Sequence, residues 1–187
     1  GYKDRIVTSI QGLVSVYYDH YSAGLPDYIM RRKTLSEIKG KCSLIDNKKN
    51  YLHRGKYEQD ALVASSNIIG RTTWDKACAH FIAPESRYYF CNENLRSVFY
   101  DGSQWEYEKC NKYQIAISQA GYPIKGLHKV IEAAALLCNE FPDIKVKVGG
   151  ANIFGGNWIK GNSYGIYIRQ LLKKYNLQDQ FEFEGFL

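Results

Sequence analysis

The chain has 187 residues, a formal net charge of +6, 45% hydrophobic residues and 24% charged residues. This balance excludes disordered, collagenous and membrane-embedded classes and predicts a soluble globular protein. No apolar run approaches the ~20 residues that cross a bilayer, and the first residues lack the apolar core of a signal peptide, so we expect a cytoplasmic protein. The five cysteines form no CxxC pair, which predicts buried reduced thiols rather than a disulfide framework or a zinc site.

The first half of the chain predicts irregularly spaced strands and helices. A β-branched run at 5–10 is followed by an apolar stretch typical of a helix packed after a strand. Thr34 with Glu37 three residues later is the pattern of a helix-capping box. The further predicted elements are helices at 34–44 and 57–65, a strand at 67–70, a helix at 74–81 and a strand at 87–91.

The second half has a regular β-α-β-α-β pattern. The helix at 126–141 carries apolar residues at i, i+3, i+4 and i+7, which makes one stripe that can lie on a sheet. The predicted elements are strands at 113–118, 144–150 and 181–186, helices at 126–141 and 164–175, and a loop at 152–163. We therefore predict an α/β protein with parallel Rossmann-like sheets and two domains, 1–110 and 111–187.

The predicted sheet of the second domain is half of a doubly wound sheet, with 113–118 as its central strand. That strand shows no polar alternation, so a bare edge beside it would be a liability that native proteins cover. We therefore expect both domains to be incomplete, with a chain truncated at its C-terminus and, from the abrupt start on a strand, at its N-terminus.

The turn in SQAGYPIKGLHKVIEAA (118–134) is the main candidate for a ligand site. It joins the first strand to its helix at the carboxyl edge of the sheet, where ligands of such folds bind. Lys125 stands just before the helix N-terminus at Gly126 and Leu127. An anion such as a phosphate could therefore bind both the lysine side chain and the positive end of the helix dipole. A solvated lysine in an ordinary loop explains the spacing equally well. Gly121 and Gly126 do not form the dinucleotide fingerprint, which disfavours a nicotinamide oxidoreductase.

Other polar residues have both functional and structural interpretations. Arg71, Thr72 and Asp75 follow a predicted strand and could line a cleft, although a threonine cap with a packed tryptophan is favoured. Glu93 and Arg96 predict a local i, i+3 pair. His128 could reach a ligand, but a surface position is favoured.

Two further classes of site find little support. The four histidines show no metal-binding spacing. The basic residues are scattered, which favours a solvated surface over a nucleic-acid patch.

Two segments resemble the family-4 retaining glycosyltransferases with the GT-B fold, in the bacterial capsule and lipopolysaccharide branch. The segment from SQAGYPIKG to KVKVGG looks like the start of that family's C-terminal donor-binding domain, and NIIGRTTWDKACAHF with the residues up to 110 is similar to the end of its acceptor-side domain. The strings YPIKG and GRTTWD carry the resemblance, which covers about 120 residues. Residues 1–66 match only through SIQGL and RGKYE.

The resemblance implies transfer of a sugar from a nucleotide-sugar donor to a saccharide or lipid-linked acceptor, with retention at the anomeric carbon and without a cofactor or metal. Lys125 matches the family's donor-phosphate lysine and is the expected catalytic residue, with Gln119, Gly121, Gly126 and Leu127 as donor-binding neighbours. Peripheral association with the inner face of the membrane and oligomerisation stay open, and no nucleic-acid partner is expected.

Two positions depart from the family pattern. Gln119 stands where the family has an arginine, and Gln11, followed by Gly12, stands where it often has a histidine at the cleft. The family's Glu-x7-Glu segment, expected beyond residue 187, is missing from these residues, so the resemblance implies a fragment that is inactive alone. The rival hypothesis is a non-catalytic nucleotide-binding or interaction module whose half sheet pairs with another chain.

Overall fold

The computed structural model describes residues 5–154 and 161–185 as a mixed α/β protein with two small parallel sheets. Part of the predicted loop 152–163, the last residue of the predicted strand 181–186 and residues 1–4 lie outside the described residues. The chain divides into two compact units, one formed by 1–19 and 49–107 and the other by 20–48 and 108–187.

The first unit contains a parallel sheet in the order β1-β2-β3. Its strands are β1 (Val7–Ser9), β2 (Asn67–Gly70) and β3 (Arg87–Phe90). Helix α1 (Val14–His20) follows β1, and helix α5 (Thr73–Ile82) connects β2 to β3. The core consists of small and branched apolar side chains from these elements, the residues next to them and the end of helix α4 (Leu44–Val63), namely Ile10, Leu13, Leu62, Ile68, Ala79 and Ala83.

Between β1 and β2 the chain forms three further helices. These are α2 (Asp27–Arg31), α3 (Leu35–Gly40) and α4 (Leu44–Val63), and the division between the two units falls within α4. The predicted capping box is confirmed, because Thr34 accepts from the backbone N–H of Glu37 and Glu37 accepts from that of Thr34. The predicted helix 34–44 ends early, since Lys41 takes a left-handed conformation with φ of 50°.

Helix α4 packs against α1 at a glycine. A Cβ built at Gly55 would lie 2.8 Å from the Cα of Ser15, so the helices approach more closely there than a side chain permits. Glu58, one turn further, accepts hydrogen bonds from the backbone N–H groups of Val14 and Ser15 at 2.9 and 3.0 Å. The carboxylate thus satisfies donors at the start of α1 that the helix itself leaves unpaired.

The second unit contains a parallel sheet in the order β4-β5-β6. Its strands are β4 (Gln114–Ile117), β5 (Lys145–Gly149) and β6 (Phe181–Gly185), joined by helices α7 (Leu127–Leu137) and α8 (Ser163–Tyr175). Helices α7 and α8 pack on each other, as right-handed crossovers between sequential parallel strands require. Helix α6 (Val98–Asp101), which the sequence did not predict, belongs to the first unit.

One face of the second sheet is apolar and the other is charged. Val146, Val148 and Phe181 are buried, whereas Lys147 on the opposite face pairs with Glu182 and Glu184 at 3.8 and 3.2 Å. Strands covered on both faces lack this alternation, so the charged face of β5 and β6 is typical of a sheet with helices on one side. Among the described residues β4 pairs with β5 alone.

Residues 20–48 belong with the second unit, although they fall within the predicted first domain, 1–110. Two buried polar side chains hold them there. Glu37 is 2% exposed, and one of its oxygens accepts from the backbone N–H and the hydroxyl of Ser163 at 2.9 and 2.8 Å. His128 donates to the carbonyl of Ala23 at 2.9 Å. Periodicity along the chain cannot reveal either long-range bond.

Candidate functional site

The candidate ligand turn lies between β4 and α7, at the carboxyl edge of the second sheet. Pro123–Lys125 form a short 3-10 turn, and Gly126 follows with φ of 78°, a left-handed conformation that glycine adopts without strain. A Cβ at Gly126 would meet no atom within 4 Å, so backbone conformation alone requires glycine here. The backbone N–H of Gly126 donates to the carbonyl of Pro123 at 2.9 Å, so the N–H groups that the helix leaves without an internal partner begin with that of Leu127.

The predicted donor-binding residues divide into exposed and buried groups. Lys125 and Gln119 are exposed, Gly121 and Gly126 are half-buried, and Leu127 is fully buried in the core. The side chain of Leu127 therefore packs, and only its backbone N–H is available to a ligand. Lys125 is exposed and stands just before the start of α7.

His128 does not lie at the surface, which corrects the favoured expectation. It is 1% exposed, with Nε2 at 2.9 Å from the carbonyl of Ala23 and Nδ1 at 3.1 Å from the hydroxyl of Tyr164. A carbonyl oxygen can only accept, so Nε2 carries the proton and Nδ1 accepts from Tyr164. Burial lowers the pKa of His128, so the imidazole is a neutral structural link rather than a ligand-binding group.

A cavity of about 240 Å³ opens at the same edge of the sheet. Its walls lie at the carboxyl ends of the three strands and include Ala120 after β4, the end of β5 with the turn that follows it (Val148–Ala151), and the end of β6 (Phe183–Gly185). A Cβ at Gly150 would lie 3.3 Å from the Cα of Gln119, and φ there is 99°. Glycine at this position lets the turn after β5 approach the turn after β4.

Aromatic and polar side chains converge on this cavity. The rings of Phe154 and Phe183 meet edge to face at 4.6 Å, and the guanidinium of Arg169 lies 4.7 Å from the Phe154 ring and donates to its carbonyl. Glu184 and Asn152 also line the cavity. The Glu184 carboxylate raises the pKa of Lys147 on the neighbouring strand through a hydrogen bond and its charge, which keeps the ammonium group of Lys147 protonated.

These cavity residues were not predicted from the sequence. The signal was present in the paired glycines that end β5 and in the Asn- and Gly-rich loop that follows. The sequence predicted a site in the turn after β4, whereas the cavity is formed mainly by the carboxyl ends of β5 and β6. Lys125 and Gly126 do not line it.

The predicted cleft residues of the first unit form a different arrangement. Thr72 and Asp75 make a capping box at the start of α5, with Asp75 accepting from the backbone N–H groups of Arg71 and Thr72 at 3.1 Å. This is the structural interpretation that the sequence favoured. Asp75 is 8% exposed, and its carboxylate is occupied by these bonds.

Arg71 joins the carboxyl ends of the strands in the first sheet. Its guanidinium donates to the carbonyl of Gln11 at 3.0 Å and to the carboxylate of Glu93 at 2.9 Å. The predicted pair of Glu93 with Arg96 is therefore wrong, since Arg96 instead lies 5.6 Å from the ring centre of Phe99. Gln11 is exposed and Gly12 half-buried, in the turn that follows β1.

The first unit also has an apolar groove of about 450 Å³ lined by residues of α1, α4 and α5. Trp74 stacks on Tyr17 with ring centres 5.9 Å apart, and Phe81 at the other end is 89% exposed. Burial raises the pKa of the Cys78 thiol in this groove, so it stays protonated. The groove offers apolar contact but few converging polar groups.

The expected burial of the cysteines is wrong. None of the five, all of which lie in the described part of the chain, forms a disulfide or is fully buried, and Cys42, Cys91 and Cys110 lie in exposed connections rather than in the core. Within residues 5–154 and 161–185, no three His, Cys, Asp or Glu side chains come together in a way that would hold a metal ion. In the same described ranges no helix has the length and apolar character needed to span a bilayer.

No protein-family model matches this chain, and no curated protein matches it either.

Proposed function

We propose that the chain is part of a retaining glycosyltransferase with the GT-B fold, and that its second unit binds the nucleotide-sugar donor. The observation that carries the proposal is the cavity at the carboxyl ends of β4, β5 and β6, at the edge where such parallel sheets bind nucleotides. The resemblance of YPIKG to the donor-binding turn of that family agrees with this location.

The cavity and the turn at Lys125 would bind different parts of a nucleoside diphosphate, the nucleoside in the cavity and the diphosphate at the turn. The cavity is smaller than the roughly 300–1,000 Å³ usual for drug-sized ligands, so it fits one nucleoside rather than a whole donor. The rings of Phe154 and Phe183 offer stacking surfaces for a base, and the Glu184 carboxylate accepts hydrogen bonds from ribose hydroxyls. The diphosphate would then lie at Lys125 and the start of α7.

The chemical role of Lys125 follows from the charge that develops in glycosyl transfer. As the bond between the anomeric carbon and the diphosphate breaks, negative charge accumulates on the leaving oxygen. An ammonium group and helix N–H groups fixed beside that oxygen stabilise the charge without reorganising. Gln119 can donate a neutral hydrogen bond to the same group, which contributes about half as much as a charged one.

Binding of nucleoside diphosphates tests the proposal. Titration calorimetry with UDP, GDP, ADP and CDP should reveal one preferred base, and Lys125→Ala should weaken its affinity about 10- to 100-fold, the range for loss of a charged hydrogen bond. Lys112→Ala, which removes an exposed lysine elsewhere in the same unit, is the matched control.

Pyrophosphate separates the two halves of the site. It should lose affinity in Lys125→Ala and keep it in Glu184→Gln, whereas the whole nucleotide should bind more weakly to both variants. Equal binding of every nucleotide to the parent and Lys125→Ala would refute the assignment.

The edge of β4 supports a second candidate function. Among the described residues this strand bonds to β5 on one side only, which fits an interaction module that completes its sheet with a strand of another chain. A protein that forms stable oligomers through β4 and binds none of the nucleotides would favour this alternative.

A further inference from the structure

The positive charge of the chain is concentrated in one segment. Residues 31–56 contain nine of the 25 lysines and arginines but two of the 19 acidic residues. The remaining residues carry 16 basic and 17 acidic side chains, so they are close to neutral. The net charge of +6 thus belongs to a small part of the molecule.

The exposed part of 31–41 is more basic than its sequence indicates. It contains Arg31, Arg32, Lys33, Lys39 and Lys41, all exposed, and Glu37 is its single acidic residue. The Glu37 carboxylate is 2% exposed and accepts its hydrogen bonds from the backbone of Thr34 and from Ser163. The negative charge therefore points inward while the cations face water. The acidic residue next along the chain, Asp46, pairs with Lys33 at 3.6 Å.

Two aliphatic side chains stand among these cations. Leu35 is 78% exposed and Ile38 is 57% exposed. The buried side of α3 is occupied by Glu37 instead of by these aliphatic side chains. In a helix with 100° per residue, Leu35 and Lys39 point almost opposite to Glu37, and Ile38 lies beside them. The outward side of α3 is therefore apolar at its centre and basic around it.

We propose that this basic patch, formed by the five cations of 31–41 with Leu35 and Ile38, docks on the surface of an anionic lipid bilayer. Lysines and arginines gain attraction from acidic headgroups, while exposed aliphatic side chains gain by entering the acyl boundary. Nucleic acid would attract the same cations but offers no apolar phase for Leu35 and Ile38. The inference stands independently of the proposed function, although it would bring the protein to lipid-linked acceptors.

Vesicle flotation tests the proposal with the 187-residue chain and no nucleotide. The parent protein should bind vesicles of phosphatidylcholine with 30% phosphatidylglycerol (about one lipid in three, enough for a negative surface potential) and should not bind pure phosphatidylcholine. Raising the salt from about 0.05 to 0.5 M should weaken binding strongly, because screening shortens the range of the attraction.

Variants separate the charged from the apolar contribution. Each cation near an anionic surface increases partitioning about fivefold, so Arg32→Gln with Lys39→Gln should reduce binding about 25-fold. Lys112→Gln with Lys173→Gln, the same change of charge at exposed sites elsewhere, should reduce it less than about threefold. Leu35→Ser with Ile38→Ser should reduce it about tenfold or more, and Leu35→Ser alone provides the same comparison if the double variant unfolds.

Several results would overturn the proposal. Equal binding to neutral and anionic vesicles would show that the cations do not attract the protein to the bilayer. Equal losses of binding in Arg32→Gln with Lys39→Gln and in the control pair would show that only the net charge of the protein matters, and not the patch. Tighter binding to a 20-mer oligonucleotide than to vesicles, unaffected by Leu35→Ser with Ile38→Ser, would assign the patch to nucleic acid instead.

Discussion

Replacing Glu37 by alanine should destabilise the second unit far more than loss of a helix cap does. The carboxylate accepts three hydrogen bonds, from the backbone N–H of Thr34 at 2.7 Å and from the backbone N–H and hydroxyl of Ser163 at 2.9 and 2.8 Å. Bonds to a charged group contribute about 1.5–3 kcal/mol each, and a buried donor left without an acceptor costs about 1–3 kcal/mol. Because water fills part of the space, we expect a loss of about 4 kcal/mol in the free energy of unfolding.

Urea unfolding measures the loss, and Thr34→Ala is the matched control. That variant removes the local half of the same capping box, which contributes about 1 kcal/mol, and leaves in place the two hydrogen bonds that Ser163 donates to Glu37. Hydrogen exchange at the amide of Ser163 should quicken in Glu37→Ala and stay slow in Thr34→Ala. If the two variants lost equal stability, or if the Ser163 amide stayed protected in both, the carboxylate would act only as a local cap.

Two further predictions concern pH and packing. Because burial lowers the pKa of His128, the unfolded chain takes up a proton near pH 6.5 before the folded chain does, so the free energy of unfolding should decrease as pH falls below about 6.5. Urea midpoints measured from pH 8 to 5 check this, and a slope unchanged in His128→Gln would contradict it. Gly55→Ala should cost about 1–3 kcal/mol by overpacking against Ser15, despite the better helix propensity of alanine. Gly121→Ala, where a Cβ meets nothing within 4 Å, should be nearly neutral, and equal thermal stability of the two variants would refute the packing argument.

The strands and the local caps could be predicted from the sequence because their signals are local. The strand at 67–70 matches β2 residue for residue, and the predicted box at Thr34 is present. Only the last part of α4 was predicted, by the helix at 57–65, which runs two residues past the end of α4 at Val63. The residues of α4 before 57 are polar on nearly every side and show no apolar stripe. Its start depends on the cap that Ser43 and Asp46 form.

The candidate site could be predicted only where one turn carries it. Lys125 and Gly126 stand out because charge, glycine and a helix start coincide within a few residues. The cavity beside them combines three strand ends that are more than 60 residues apart at the extremes, and no local pattern records such a meeting. His128 was misjudged for the same reason, since its partners Ala23 and Tyr164 are distant in sequence.

The bond between Glu37 and Ser163 spans 126 residues of sequence, which has a consequence for the order of events during synthesis. At about 5–20 residues per second, the ribosome needs roughly 6 to 25 s to add that length. Helix α3 therefore leaves the ribosome long before its carboxylate finds a permanent set of donors, while the residues 49–107 that follow can assemble their own sheet. The nascent chain must keep 20–48 accessible during this interval, and late closure of so long a loop makes the second unit the slower of the two to fold.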